Sequence, residues 1–173
     1  MKKTSNGRLG LAEVISNTSP LQYLHQLGLL DLLPRLVGSI VVPPAVVHEL
    51  EAGRALGLDL PDVTSLNWIV IRPPGEMEQQ PIARDLGRGE TEVLRLALGS
   101  EEETILILDD GRAREEAKNL GLKLMGTLGV LLDAKRAGLL PSLEEQLDRL
   151  DELGFRLARH TRAAVLKIAG ENP

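Results

Sequence analysis

Cysteine is absent from this 173-residue chain, and aromatic residues are nearly so, with one Trp, one Tyr and one Phe. The lack of cysteine excludes a disulfide framework, a thiolate zinc site, an iron–sulfur cluster and a cysteine nucleophile. Any metal must therefore be held by oxygen or histidine. Tyr23, Trp68 and Phe155 are too few for a platform that stacks successive bases, so a nucleic-acid substrate would have to be held by charge.

Long apolar runs are also missing. No stretch approaches the roughly 18 apolar residues of a membrane span, and Met1-Lys2-Lys3 is followed by polar residues rather than by the apolar part of a secretory signal. We therefore expect a cytoplasmic protein with no membrane partner. The net charge of -5 argues against a sequence-blind nucleic-acid coat, which is strongly basic, but it permits an enzyme that acts on nucleic acid.

Short apolar runs alternate with longer stretches of helical periodicity, which is typical of βα units around a parallel sheet. The length suits one domain over residues 1–173, with loose ends at 1–11 and 171–173 and C-terminal helices over 127–170. The predicted strands are 13–16, 39–42, 68–71, 104–108 and 123–125. The predicted helices are 20–33 with a break at Gly28, 43–51, 90–98, 112–120, 128–137, a segment from Ser142 to Gly154, and 161–169. Between them, the Pro- and Gly-rich stretch 73–89 predicts an exposed, mobile loop.

The most distinctive local pattern is an apolar strand that ends in two carboxylates, Asp109 and Asp110. Ligands of open α/β sheets gather at the carboxyl ends of the strands, so the pair is a candidate site. Adjacent like charges also call for a compensating cation or basic group. The alternative is that the aspartates only cap the helix that begins near Arg112.

Two other side chains are expected at the same edge of the sheet. Asn17 directly follows the first strand, although it also suits a plain turn or helix cap. Glu90 lies three, four, seven and eight residues before Val93, Leu94, Ala97 and Leu98, which places it on the apolar face of its own helix. A carboxylate on that face needs a partner, unless it is only a first-turn glutamate favoured by the helix dipole.

The remaining candidates are less certain from periodicity. Glu49 and Glu51 both border the apolar arc of their helix, and the helical wheel does not choose between them. Thr127 is expected at the junction between the fifth strand and the following helix, as a phosphate contact or as a helix cap. Arg112 is a candidate contact for a nucleic-acid backbone or part of a solvated face. The three histidines lack metal-ligand spacing.

Acidic clusters from distant parts of the chain are thus expected to converge at one edge of one sheet. Such an oxygen-rich pocket suits Mg²⁺ or Mn²⁺, which activates a water and neutralises charge on a phosphate under attack. Metal-assisted phosphodiester hydrolysis is the chemistry that this arrangement predicts.

Five short motifs follow one another along the chain. They are Ser16-Asn17-Thr18-Ser19-Pro20-Leu21, Val42-Pro43-Pro44-Ala45-Val46-Val47-His48-Glu49-Leu50, Gly89-Glu90-Thr91-Glu92, Leu106-Ile107-Leu108-Asp109-Asp110-Gly111-Arg112-Ala113-Arg114 and Gly126-Thr127-Leu128-Gly129-Val130-Leu131-Leu132. In this order and spacing they resemble the PIN domain nucleases, over about residues 14–168. The closest likeness is to prokaryotic PIN-like proteins with a Gly-Thr-x-Gly segment and two trailing helices.

The resemblance implies a three-layer α/β/α sandwich around a parallel sheet of about five strands. It also implies acidic residues that bind Mg²⁺ or Mn²⁺ and cleave RNA; many such proteins are homodimeric toxins paired with a small antitoxin protein. Matched to the family pattern, the acids are Glu49, Glu90, Asp109 and Asp110, while Ser19 and Thr127 fall where hydroxyls often lie near the site.

Asn17 departs from the family pattern, which has aspartate at the end of the first strand. An amide offers a carbonyl oxygen to a metal but removes a full negative charge from the cluster. The leading hypothesis is therefore a metal-dependent ribonuclease in which Asn17 is a weak ligand and Ser19, Arg112 or Thr127 contacts the substrate. The alternative is a catalytically silent PIN-fold protein that binds nucleic acid or a protein partner.

Overall fold

All five predicted strands form and pair in parallel in the computed structural model, which describes residues 12–76 and 81–172. The sheet order is β3-β2-β1-β4-β5, with Ile15 of the central strand opposite Val41 on one side and Leu106 on the other. Helices flank this sheet, which confirms the predicted three-layer α/β/α architecture. The strands are β1 (Glu13–Ser16), β2 (Ile40–Val42), β3 (Ile69–Ile71), β4 (Thr104–Ile107) and β5 (Lys123–Met125).

Eight α-helices connect and follow the strands in the described part of the chain. α4 packs on β1 and β4, α2 packs on β2, and α5 and α6 pack on β5. α7 and α8 continue from α6, as predicted for the C-terminal segment. The helices are α1 (Thr18–Gln26), α2 (Leu32–Val37), α3 (Pro44–Ala55), α4 (Arg88–Gly99), α5 (Gly111–Asn119), α6 (Thr127–Arg136), α7 (Leu143–Glu152) and α8 (Arg159–Ile168).

The leucines of the first two helices belong to the core of the chain itself. Leu21, Leu24, Leu27 and Leu33 are all at most 2% exposed, beneath the sheet strands and α6. A leucine-rich stripe of this kind can be core or a dimer face, and its burial within one chain decides for core. The homodimer stays a prediction, and its interface would have to be formed by another surface of the protein.

The C-terminal end is more ordered than the sequence predicts. Glu171, expected in a loose terminus, accepts hydrogen bonds from the backbone N–H groups of Leu143 at 2.7 Å and Glu144 at 2.8 Å, and it pairs with Lys135 at 2.9 Å. These bonds satisfy the free N-terminal amides of α7 and lower the pKa of the Glu171 carboxyl. A carboxylate at a helix N-terminus explains the order, and spacing along the sequence does not reveal it. The predicted loose residues 1–11 and 173 lie outside the described residues.

Part of the predicted mobile loop 73–89 is tied to the domain. Residues 77–80 lie outside the described residues, but Asp85 pairs with Arg112, and the Ala83 N–H donates to Glu116 at 3.1 Å. Gly89, at the end of the predicted loop, is buried in the first turn of α4. No helix among the described residues is both long and apolar enough to cross a membrane.

Candidate functional site

The site lies where the strand order reverses. The chain moves from β1 to β2 and β3 on one side, and then returns to place β4 on the other side of β1. In an open parallel sheet this reversal leaves a crevice outside the carboxyl ends of the two strands. The two strand ends are joined here by a hydrogen bond from the Asn17 N–H to the Ile107 carbonyl at 3.2 Å.

Asn17 points into this crevice. It is 2% exposed and begins α1, yet its side chain makes no capping hydrogen bond to that helix. The amide Nδ2 instead donates to Oε1 of Glu90 at 3.5 Å. The turn or cap role that the sequence left open therefore does not account for the Asn17 side chain.

Glu49 reaches the crevice from α3. Its Oε1 accepts from the Gly89 N–H at 3.1 Å, and its Oε2 accepts from the Thr18 hydroxyl. Both Glu49 and Glu51 are exposed on this helix, but the hydrogen bonds of Glu49 tie it to the start of both α1 and α4 and so decide the ambiguity of the helical wheel.

Glu90 makes both a helix-capping contact and a contact within the candidate site, which the sequence proposed as alternatives. Its Oε2 accepts from the Gly87 N–H at 2.6 Å, which is the glutamate half of a capping box at the start of α4. Its Oε1 faces the Asn17 amide. The capping bond fixes the rotamer that aims the second oxygen at Asn17.

An unpaired acceptor lies at the centre of the cluster. Oδ1 of Asn17 is buried and has no hydrogen-bond partner among the described residues. A Cβ placed on Gly89 would lie 3.0 Å from this oxygen and 2.8 Å from each oxygen of Glu49. Three acceptor oxygens thus pack closely against the Gly89 backbone, an approach that only glycine permits. Because a buried acceptor without a donor is costly, the unpaired Asn17 oxygen suits a bound cation or a bridging water.

Gly89→Ala is expected to weaken Mn²⁺ binding about tenfold, because the added methyl group pushes the Glu49 carboxylate and Asn17 away from their present positions. Titration calorimetry measures the affinity. Gly111→Ala is the matched control, since a Cβ at Gly111 meets no atom within 4 Å. An unchanged affinity for Gly89→Ala, beside an unchanged control, would contradict a metal position next to Gly89.

Asp109 lies past the end of β4 and is engaged with α6. Its Oδ1 accepts from the Thr127 N–H at 2.8 Å and its Oδ2 from the Thr127 hydroxyl at 2.6 Å. Burial raises the pKa of the Asp109 carboxyl, and the Thr127 bonds and the Arg114 charge oppose that rise. Gly126 allows the close approach, because a Cβ there would lie 2.9 Å from Oδ1. Asp109 is thereby an anchor for the start of α6.

Asp110 caps α5, as the alternative interpretation proposed. Its Oδ1 accepts from the N–H groups of Arg112 at 3.0 Å and Ala113 at 2.9 Å. The exposed side chain leaves Oδ2 without a hydrogen bond from the described residues. One carboxylate oxygen therefore fixes the helix, and the other faces outward at the carboxyl end of β4.

The predicted substrate contacts are placed less directly. The Arg112 guanidinium pairs with Asp85, and the Thr127 hydroxyl donates to Asp109 rather than capping α6. Ser19 is half-buried in α1, but the hydroxyl that reaches a candidate acid is that of the preceding residue, Thr18. Of the histidines, His48 and His160 are exposed, and His25 pairs with Asp59 at 2.9 Å.

Two residues at the site were missed by sequence reasoning. Thr18 contacts Glu49, and Gly89 allows the Glu49 and Asn17 oxygens to pack against the backbone of α4. Arg114, which lies within the fourth motif, donates to the Leu108 carbonyl at 2.7 Å beside Asp109. The Gly89-Glu90 pair at a helix start was the one usable signal, because a buried glycine there indicates a close approach. Nothing in the spacing favours Thr18 over Ser19.

The donor set is oxygen-rich but low in charge. Across residues 12–76 and 81–172, no three His, Asp or Glu side chains are grouped to hold a metal ion. Asn17, Glu49 and Glu90 offer an amide oxygen and two carboxylates, which are hard ligands of the kind that Mg²⁺ and Mn²⁺ accept. The buried, unpaired Asn17 oxygen fits such an ion, with the two carboxylate charges to balance it.

The fold and the site together define an all-parallel α/β protein with an oxygen-rich crevice at its strand-order reversal. The chain belongs to the PIN domain family, whose model matches residues 13–171. No curated protein and no solved structure gives a significant match. Family membership confirms the resemblance seen in the motifs and supports a nuclease-like function.

Proposed function

We propose that this PIN-domain protein is a ribonuclease that hydrolyses phosphodiester bonds with Mg²⁺ or Mn²⁺. The observation that carries the proposal is the convergence of the unpaired Asn17 Oδ1 with both oxygens of Glu49 around Gly89, beside Glu90. A buried acceptor next to carboxylates is a poor arrangement without a cation. Asn17, Glu49 and Glu90 would hold the ion.

The divalent ion supplies charge for the phosphate under attack and lowers the pKa of a water. The chain's own groups do the rest. The Gly89 N–H and the Thr18 hydroxyl fix the two oxygens of Glu49, and the Gly87 N–H fixes Glu90. Oδ2 of Asp110 is placed at the same edge of the sheet to accept a proton or add charge. Asp109 contributes negative charge nearby while it holds α6.

The test is a calorimetric Mn²⁺ titration of the wild-type protein, Glu49→Gln and Glu51→Gln. We expect Glu49→Gln to weaken binding by at least about tenfold, because it removes one of the two carboxylates, and Glu51→Gln to bind like wild type. Both residues lie on α3 and both substitutions remove one charge, so the comparison separates a ligand from a general charge effect. Equal affinities for the two variants would overturn the site.

The biological role that we propose follows the family resemblance. The protein would act as the toxin of a toxin–antitoxin pair, as a homodimer, and its activity on RNA would be blocked by a small antitoxin protein. A gene for a small protein next to this one, whose product forms a complex with this chain and stops Mn²⁺-dependent RNA cleavage, is the expected finding. Expression of the chain alone should then slow growth.

A second candidate function is a PIN-fold protein that binds RNA without cutting it. The observation in its favour is Asn17, which leaves the described residues without a grouped set of three acids. This candidate predicts no heat of Mn²⁺ binding and no cleavage by the wild-type protein, with RNA binding intact. The titration therefore separates the two functions.

A further inference from the structure

A separate cavity of about 380 Å³ opens on the β5 side of Asp109. It lies between the connection from β5 to α6 and the segment that joins α7 to α8. Apart from Asp109, it contains none of the candidate metal ligands. The lining residues that matter here are Asp109, Arg114, Met125, Phe155, Arg156 and Leu157.

One side of the cavity is apolar. Met125, Phe155 and Leu157 are half-buried hydrophobic side chains packed against the core. The Phe155 ring is held by an edge-to-face contact with Tyr23, with ring centroids 5.0 Å apart and an interplanar angle of 86°. Gly154 has a φ of +84°, and this left-handed turn after α7 directs Phe155 back to the protein. The cavity therefore has a fixed apolar wall with one ring.

The other side carries positive charge. The Arg114 guanidinium is fixed by its hydrogen bond to the Leu108 carbonyl at 2.7 Å. Arg156 is exposed and makes no ion pair with any described residue. Among the described residues, Asp109 is the only acid that lines the cavity, and both of its oxygens already accept from Thr127. The cavity thus offers an apolar surface beside an unpaired cation.

We infer that this cavity binds one unpaired nucleotide of the RNA strand, with the base against Phe155 and Leu157 and the adjoining phosphate at Arg156. The inference rests on the proposed function for its substrate class. Its volume suits a single small ligand and is too small for a duplex. Unstacked bases bind aromatic and apolar side chains, and arginine binds phosphate. Asp109, at the carboxyl end of β4, lines the cavity, so the cavity lies at the same edge of the sheet as the crevice.

The test measures binding of a short, fluorescently labelled single-stranded RNA by anisotropy, with divalent metal removed by EDTA so that no cleavage occurs. Arg156→Gln is expected to weaken binding roughly tenfold, as the loss of a charge-assisted contact does. Arg136→Gln is the matched control, because it removes the same charge from the far end of α6. Both arginines are exposed, so neither substitution endangers the fold.

The outcomes separate this inference from the proposed function. If wild type binds RNA and the two variants weaken binding equally, or not at all, the nucleotide site is overturned while the Mn²⁺ titration still decides the nuclease. If Arg156→Gln alone weakens binding but no metal supports cleavage, the site stands and the nuclease does not. If wild type binds no RNA, the nucleotide site is overturned.

A second measurement locates the base. RNA that carries 4-thiouridine is crosslinked to the wild-type protein by ultraviolet light, and the modified peptide is identified by mass spectrometry. We expect a crosslink at Phe155, Leu157 or Met125, which form the apolar wall. Crosslinks confined to other parts of the chain would overturn the assignment even if Arg156 contributes to affinity.

Discussion

An Asn17→Asp variant is expected to bind Mn²⁺ roughly 10- to 100-fold more tightly than the wild-type protein and to cleave RNA correspondingly faster. The substitution adds a third negative charge to a cluster that now has Glu49 and Glu90, and the affinity of hard cations rises with the charge of their ligands. The position is 2% exposed, so solvent screens the added charge only weakly. Calorimetry and an RNA cleavage assay at fixed Mn²⁺ concentration measure the two effects.

The same variant has a second expected signature, in stability. A carboxylate at position 17 faces Glu90 on one side and the oxygens of Glu49 on the other, whichever way the amide is turned in the wild-type protein. A buried carboxylate beside two other carboxylates is both desolvated and repelled, so the metal-free variant should melt below wild type. Added Mn²⁺ should raise its melting temperature more than that of wild type, because tighter binding to the folded state gives a larger linkage term.

The control for both readouts is Asn67→Asp, which adds the same charge at an exposed turn before β3. It should leave Mn²⁺ affinity and cleavage unchanged. If neither protein bound Mn²⁺, the proposed metal site at the end of β1 would be contradicted. If both bound Mn²⁺ with the same affinity, the charge at position 17 would not contribute to binding, and the metal would lie away from this side chain.

The sheet could be predicted from the sequence because its three inner strands, β1, β2 and β4, are largely buried. Runs such as residues 105–108 are continuously apolar, and this pattern needs no knowledge of the neighbours along the sheet. The helix starts were also close to the predicted ones where proline, serine or aspartate marks them. The order of the strands in the sheet could not be predicted from the sequence, since it depends on which helices cross over and not on any local pattern.

Only part of the candidate site could be predicted from the sequence in the same way. Glu90 was predictable from helical periodicity, because the apolar residues that follow it define its face. Glu49 and Glu51 were equivalent on the wheel, and only the packing of α3 beside α1 and α4 separates them. The Thr18 contact and the Asp85–Arg112 pair join residues that are far apart in sequence and have ordinary surface chemistry, so no local signal marks them.

Asp109 and Asp110 show why adjacent carboxylates were hard to assign. As neighbours after a strand they point in different directions, and the helices that follow decide what each contacts. Asp110 meets the free amides of α5, and Asp109 meets Thr127 at the start of α6. Helix ends always present unsatisfied N–H groups, so an acid at a strand end is recruited to them unless a metal competes.

Asp109→Ala is expected to lower the free energy of unfolding by about 2–4 kcal/mol. Thr127 is completely buried, and without Asp109 both its N–H and its hydroxyl lose their acceptor. Asp109→Asn should cost much less, because the amide oxygen still accepts from the Thr127 N–H and no charge needs to be buried. Urea denaturation at neutral pH gives both values. A near-zero change for Asp109→Ala would show that Asp109 does not anchor α6.

The pH dependence of the same pair tests the burial of the carboxyl. A folded-state pKa that is raised above the unfolded value adds stability at low pH, and this stability is lost as the pH rises through the folded pKa. The free energy of unfolding of wild type, relative to that of Asp109→Asn, should therefore rise as the pH falls from neutral. Taking the difference between the two proteins cancels the contributions of the acids that they share. Mn²⁺ titration of Asp109→Asn then separates anchor from ligand. Retained affinity means that Asp109 acts on the site through α6, and loss of affinity without loss of stability means that it binds the ion.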